Sequence, residues 1–257
     1  MALMHVDFYS ESLGYNVNCE VIIPQQSRTL IGMETSRGET FRTLYLLHGY
    51  SDDCTIWQRR TSVERYVAGR NMAVVMPSAD LSWYTDMKYG GAFRTYIADE
   101  LPNVMRSFFN GMSDKREDNF IAGLSMGGYG AMKLGLQKPE NYGGIASFSG
   151  ALDVYKQAKT GTDYWKSVFG DVEKIPGSEN DVYYLAEKVK KEGKTLPGVY
   201  IWCGTEDSLI GQARQMNELL TGLGYNVKYS ETPGNHNWKY WDEQLVCALD
   251  FFDTLYK

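Results

Sequence analysis

Apolar and polar positions change their period along the chain, and the changes divide it into elements. Residues 3–9 and 17–23 alternate apolar and polar, the pattern of an antiparallel pair with one covered face. Residues 43–49 (TLYLLHG) and 71–79 (NMAVVMPSA) are dense apolar runs, as expected of parallel strands covered on both faces by helices. A helix is predicted between them, near 57–69. Residues 93–109 repeat apolar positions at helical spacing, and Pro102 predicts a kink or a late helix start. A strand at 119–123, a helix in GGYGAMKLGLQK and a strand at 142–150 follow. Strands at 196–204 and 226–232 then flank a helix at 209–223, and an amphipathic helix spans 239–256.

From residue 43 onward, strand and helix alternate, which predicts an α/β fold: a mostly parallel central sheet with helices on both faces. The exception is 151–195, polar, rich in Tyr and Lys and without a clear strand. It reads as a cap-like insertion of short helices over one end of the sheet. No repeat, Pro-rich linker or long charge block interrupts the chain, so residues 1–257 are expected to form one domain.

Composition narrows the role. With 257 residues, 43% hydrophobic and 23% charged, the chain is neither collagen-like nor disordered, and it can bury a core without staples. A net charge of −6 argues against a duplex nucleic-acid binder, which needs a basic footprint. Cys19, Cys54, Cys203 and Cys247 form no C-x-x-C pair and are too sparse for a disulfide scaffold. The first residues lack a basic start and an apolar stretch, and no segment reads as membrane-spanning, so the expected compartment is the cytoplasm.

The chemistry concentrates in GLSMG at 123–127, a G-x-S-x-G motif preceded by apolar NFIA and followed by a helix-forming segment. Strand, sharp turn and helix are what a nucleophile elbow requires, with small residues flanking an exposed Ser125. A serine hydroxyl needs a base, and the chain has three histidines. His5 starts an edge strand, and His48 ends the LYLLHG run, where it is expected to orient its turn by hydrogen bonds. His236 alone follows Ser125, as the order Ser, acid, His demands. The acid should lie after a strand between them, and WCGTEDSL offers Glu206 and Asp207. Asp207 is preferred and Glu206 is the fallback; either could instead cap the helix that follows.

An oxyanion hole needs two backbone N–H donors. Met126, after the nucleophile, is one candidate; Tyr50, after the LYLLHG strand, is the other. Aromatic residues make up 14% of the chain. Trp83 and Tyr84 follow a strand on the catalytic edge and are candidates for a substrate pocket. Trp238 and Trp241 are expected to pin the histidine loop by packing, and Asp52 and Asp53 to cap the helix near 57–69. No His, Asp or Glu cluster has metal-site spacing, and no cofactor is expected.

Taken together, LLHGYSDDCTIW (46–57), GLSMGGYGA (123–131), GTEDSL (204–209) and HNWKYWD (236–242) resemble the esterase D-type branch of the α/β-hydrolases. Within it the chain is most similar to bacterial tributyrin esterases. The branch includes S-formylglutathione hydrolases, feruloyl and acetylxylan esterases, and mycolyltransferases. The resemblance covers nearly the whole chain. It implies Ser125 as nucleophile, Asp207 as acid, His236 as base, and oxyanion donors at Tyr50 and Met126.

The expected function is a serine carboxylesterase acting on short-chain acyl or hydroxycinnamoyl esters through an acyl-enzyme. The alternatives are an S-formylglutathione hydrolase and, from another class, a non-catalytic hydrolase-fold binding module. The expected partner is a small-molecule ester, with neither nucleic acid nor membrane; association into a homo-oligomer is compatible with the sequence.

Overall fold

The computed structural model describes residues 1–29 and 31–255. The alternating segments pair as an antiparallel hairpin, β1 (Ala2–Ser10) and β2 (Tyr15–Ile23). Next come β3 (Arg42–Leu47), α1 (Ile56–Arg60), α2 (Val63–Val67) and β4 (Met72–Pro77). A helical stretch follows as α3 (Phe93–Thr95), a wide π turn (Tyr96–Glu100) and α4 (Leu101–Phe108). The chain continues through β5 (Asn119–Leu124), α5 (Met126–Gln137), β6 (Gly144–Phe148), α6 (Val154–Ala158), α7 (Asp163–Phe169) and α8 (Val182–Lys191). It ends with β7 (Gly198–Gly204), α9 (Ile210–Leu223), β8 (Val227–Thr232) and α10 (Trp238–Leu255). The final helix was expected to reach residue 256, which lies outside the described residues.

Among the described residues eight strands form one sheet, in the order β1-β2-β4-β3-β5-β6-β7-β8. β2 runs antiparallel to β1 and β4, and the strands from β4 to β8 are parallel. The dense apolar runs are buried on both faces because successive side chains alternate between two cores. Tyr45, Leu47, Ile121 and Ile201 face the layer of α4, α5, α8 and α9. Leu44, Leu46, Phe120 and Trp202 face the layer of α1, α2 and α10.

Two segments differ from the sequence expectation, and at a third, Pro102, the expected kink or late start takes the form of a wide turn. The helix near 57–69 is two short helices, because Thr61 adopts an extended backbone (φ −134°, ψ 174°) between them. Pro102 sits in the first turn of α4, and the wide turn before it lets Leu101 N–H reach Tyr96 O. Proline has no N–H for the ordinary i→i−4 bond, so the helical ladder changes register just ahead of it. The 151–195 segment also supplies a sheet-covering helix. Val182, Leu185, Ala186 and Val189 bury one face of α8, which provides the crossover that parallel β6 and β7 require.

Candidate active site

Ser125 follows β5 and caps α5, with φ 53° and ψ −116°. A non-glycine residue at positive φ is held there by its surroundings. Its N–H donates to Phe148 O (2.9 Å), and its carbonyl accepts from Tyr129 N–H (3.1 Å) and Ala151 N–H (3.2 Å). The glycines on either side make the turn sterically feasible. A Cβ at Gly123 would lie 2.4 Å from Gly127 O, and one at Gly127 would lie 2.5 Å from His48 O. Met126 is fully buried, so its side chain packs and its N–H lies at the head of α5.

The two carboxylates after β7 part company. Glu206 is exposed, whereas Asp207 is buried and its Oδ2 lies 2.8 Å from His236 Nδ1. Asp207 Oδ1 accepts Leu209 N–H (2.9 Å). Burial alone would raise the Asp207 pKa. The hydrogen bonds from His236, Leu209 N–H and Ser149, with the His236 charge, bring it below the usual carboxylate value. The His236 ring stands edge-on to Trp241 at 4.8 Å, and Trp241 packs on Trp238 at 5.4 Å. The other histidines sit elsewhere. His5 bonds Glu20 on the hairpin (2.7 Å), and His48 is buried, with its pKa pushed down by burial.

Ser125 and His236 line one cleft of about 550 Å³, with Gly49, Tyr50, Trp238 and Trp241 among its walls. The Tyr50 ring is exposed and meets Tyr164 edge-on at 6.1 Å. Asp53 accepts Thr55 N–H (2.8 Å) just ahead of α1, whereas Asp52 and Arg60 line the cleft. Burial raises the pKa of Asp52, against the pull of a hydrogen bond from Gly49 N–H. Trp83 and Tyr84 are not among the cleft walls. Trp83 Nε1 donates to Tyr164 OH (2.9 Å), and Tyr84 is fully buried with its OH on His48 O (2.8 Å).

Sequence reasoning missed Ser149, which accepts Trp241 Nε1–H (3.1 Å) and bonds Asp207, tying the terminal helix to the carboxylate. No motif surrounds it; only its place just after the β6 strand run could have flagged it. Arg60 was missed because a basic residue ending a short helix is ordinary. All four cysteines are free thiols. Among the described residues no three His, Cys, Asp or Glu gather as a metal-binding group, and no helix is long and apolar enough to cross a membrane.

Residues 10–252 match the model of a protein family described as "Putative esterase". An acetyl esterase of Caldicellulosiruptor saccharolyticus is 33% identical, covering 99% of each chain. A fluorophosphonate-binding serine hydrolase F of Staphylococcus aureus superposes with a TM-score of 0.88 at 32% identity, over 98% of each chain. An S-formylglutathione hydrolase of the same organism superposes with a TM-score of 0.85, again at 32% identity over 98% of each chain. The chain belongs to the esterase family: its fold is that of the α/β-hydrolases, and it is a serine-type carboxylic-ester hydrolase.

Proposed function

We propose that the protein hydrolyses short-chain acyl esters through an acyl-enzyme, with Ser125 as nucleophile, His236 as base and Asp207 as the acid that orients it. The observation that carries this reading is a strained Ser125 sharing a cleft with a histidine whose Nδ1 is engaged by a buried carboxylate. In that arrangement His236 Nδ1–H donates to Asp207, leaving Nε2 free to accept the Ser125 proton. Ser125 Oγ attacks the ester carbonyl, and the N–H groups of Met126 and Tyr50 bind the oxyanion, helped by the positive end of α5. Protonated His236 then gives its proton to the leaving alcohol, and water repeats the sequence on the acyl-enzyme.

Acetyl and other short acyl groups are the proposed substrates, supported by the acetyl esterase relative. Room for a hydroxycinnamoyl group would have to come from Tyr50 and Trp238, since Trp83 and Tyr84 lie outside the cleft. Ser125→Ala should lower hydrolysis of p-nitrophenyl acetate by at least about 10³-fold while the circular dichroism spectrum stays native. Unchanged turnover in a pure, folded sample would defeat the assignment.

One feature favours a second reading, hydrolysis of S-formylglutathione. Arg60 is exposed in the cleft, where its charge acts on the Asp52 carboxylate without a direct hydrogen bond among the described residues. A leaving group that carries carboxylates could meet it. Direct assay of S-formylglutathione beside p-nitrophenyl acetate, butyrate and methyl ferulate separates the substrate classes by their kcat/KM.

A further inference from the structure

The oxyanion donor at Tyr50 belongs to a peptide unit that the protein grips from its other side. Ala79 N–H donates to His48 Nε2 (2.9 Å), so that nitrogen carries a lone pair and the proton resides on Nδ1. His48 Nδ1–H therefore donates to Gly49 O, at 2.8 Å. In a trans peptide the Gly49 carbonyl and the Tyr50 N–H point in opposite directions, so holding the oxygen aims the N–H. The preceding peptide is held the same way: Tyr84 OH donates to His48 O, at 2.8 Å.

Tyr84 is itself fastened to α5, the helix that begins at the other donor, Met126. The buried Lys133 amine donates to Tyr84 O (3.1 Å) and to Thr85 Oγ1 (2.6 Å). Burial pushes its pKa down to about 7, and the two N–H bonds of an uncharged amine match these two acceptors. The Tyr84 ring lies flush on the helix, where a Cβ at Gly130 would meet Cδ2 at 2.3 Å. Trp83 and Tyr84 both stand at positive φ (53° and 51°), a pair of large residues in a region their side chains disfavour. Such a conformation persists where the surroundings over-determine it, and it clusters at functional sites.

We propose that Tyr84 and Lys133 are positioning residues that form a strut from α5 to the oxyanion loop and so fix the spacing of the two oxyanion donors, Met126 N–H and Tyr50 N–H. This rests on the reading of Ser125 as nucleophile and of those two amides as donors. The strut touches no substrate. Its effect falls on the tetrahedral species, whose oxygen needs both amides, and not on the ground-state ester.

The test is Tyr84→Phe, which keeps the ring and removes one oxygen, with Lys133→Met as a second variant that removes both amine bonds at similar volume. Active sites are titrated with a fluorophosphonate, so that rates refer to competent enzyme. Tyr84→Phe should lower kcat for p-nitrophenyl acetate about tenfold, less than outright loss of an oxyanion donor, with KM within about twofold. Affinity for a trifluoromethyl ketone, which forms a tetrahedral adduct, should fall by the same factor. A folded variant with a lowered Tm but unchanged kcat per titrated site and unchanged ketone affinity would reduce the strut to a structural brace and overturn the inference. Should Tyr84→Phe fail to fold, the same split in Lys133→Met decides. Failure of the fluorophosphonate to label Ser125 in the unmodified protein would instead defeat the nucleophile assignment, and the inference with it.

Discussion

The backbone at Ser125 costs the fold about 1–3 kcal/mol in local strain, and the hydrogen bonds from Ser125 N–H and to its carbonyl offset that cost. The strained residue forms part of the cleft wall. Asp207 spends its buried charge in a comparable way, on His236, Leu209 N–H and Ser149. Replacing it tests orientation separately from volume. Asp207→Asn should lower kcat by about 10⁴-fold, since an amide favours the wrong imidazole tautomer, whereas Glu206→Gln should leave it nearly unchanged. Steady-state kinetics on p-nitrophenyl acetate checks both, and a crippled Glu206→Gln enzyme would move the acid to Glu206. Ser125 and His236 could be singled out in the sequence because a five-residue motif and a shortage of histidines leave little choice. Asp207 was separable from Glu206 only by burial, a property of the folded loop. Tyr84 looked like a pocket wall because an aromatic residue after a catalytic-edge strand has two uses, and only the direction of its hydroxyl tells them apart.

At the scale of elements, what could be read from the sequence followed the strength of the hydrophobic period. The β3, β4 and β5 runs are continuous because both faces are buried, and such runs stand out in any window. The break at Thr61 leaves no trace in the apolar pattern, because Val63 and Val67 continue it through α2. Helix α8 was hidden within a polar, Lys-rich segment, since its exposed face is charged and its buried face is only four residues. The glycines of β5 and α5 give an element-level prediction. Gly123→Ala forces a methyl against the Gly127 backbone, which cannot swing aside, and should cost about 1–3 kcal/mol along with most activity. In α9, a Cβ at Gly222 meets nothing within 4 Å, so Gly222→Ala should stabilise by about 0.4–1 kcal/mol and leave activity intact. Urea denaturation of the two variants provides the comparison. A neutral Gly123→Ala would show that the elbow is looser than its contacts imply.

The whole molecule is a sheet with two cores, and its proposed catalytic cleft is walled by the segments that follow β3 and β5 and by the loop ahead of α10, with the loop after β7 holding His236 from behind through Asp207. This is the rim where parallel sheets carry their sites. Buried titratable groups couple that architecture to pH. Lys133 has its pKa lowered from 10.5 to about 7 by burial, so the folded amine sheds its proton well before the unfolded one does. Between about pH 7 and 10.5 the unfolded amine holds a proton that the folded one has shed, so the Lys133 contribution to stability rises with pH by up to about 1.4 kcal/mol per unit, opposed above about pH 9 by the buried thiols of Cys19 and Cys203, whose pKa values burial raises from 9.0 to about 12. His48, also lowered by burial, acts in the same sense at lower pH: its contribution is present above about 6.5 and is lost as pH falls toward its folded value. Urea titrations at pH 7, 8 and 9 should show the rise in the unmodified protein and a flatter profile in Lys133→Met. Identical profiles would mean that the amine is charged in the fold.

The most direct test of the central claim is intact-mass and peptide mapping after treatment with a fluorophosphonate. The account predicts one adduct per chain, on the peptide carrying Ser125, formed rapidly in the unmodified protein and far more slowly in His236→Ala. An adduct on another residue, or labelling at full speed without the imidazole, would contradict it.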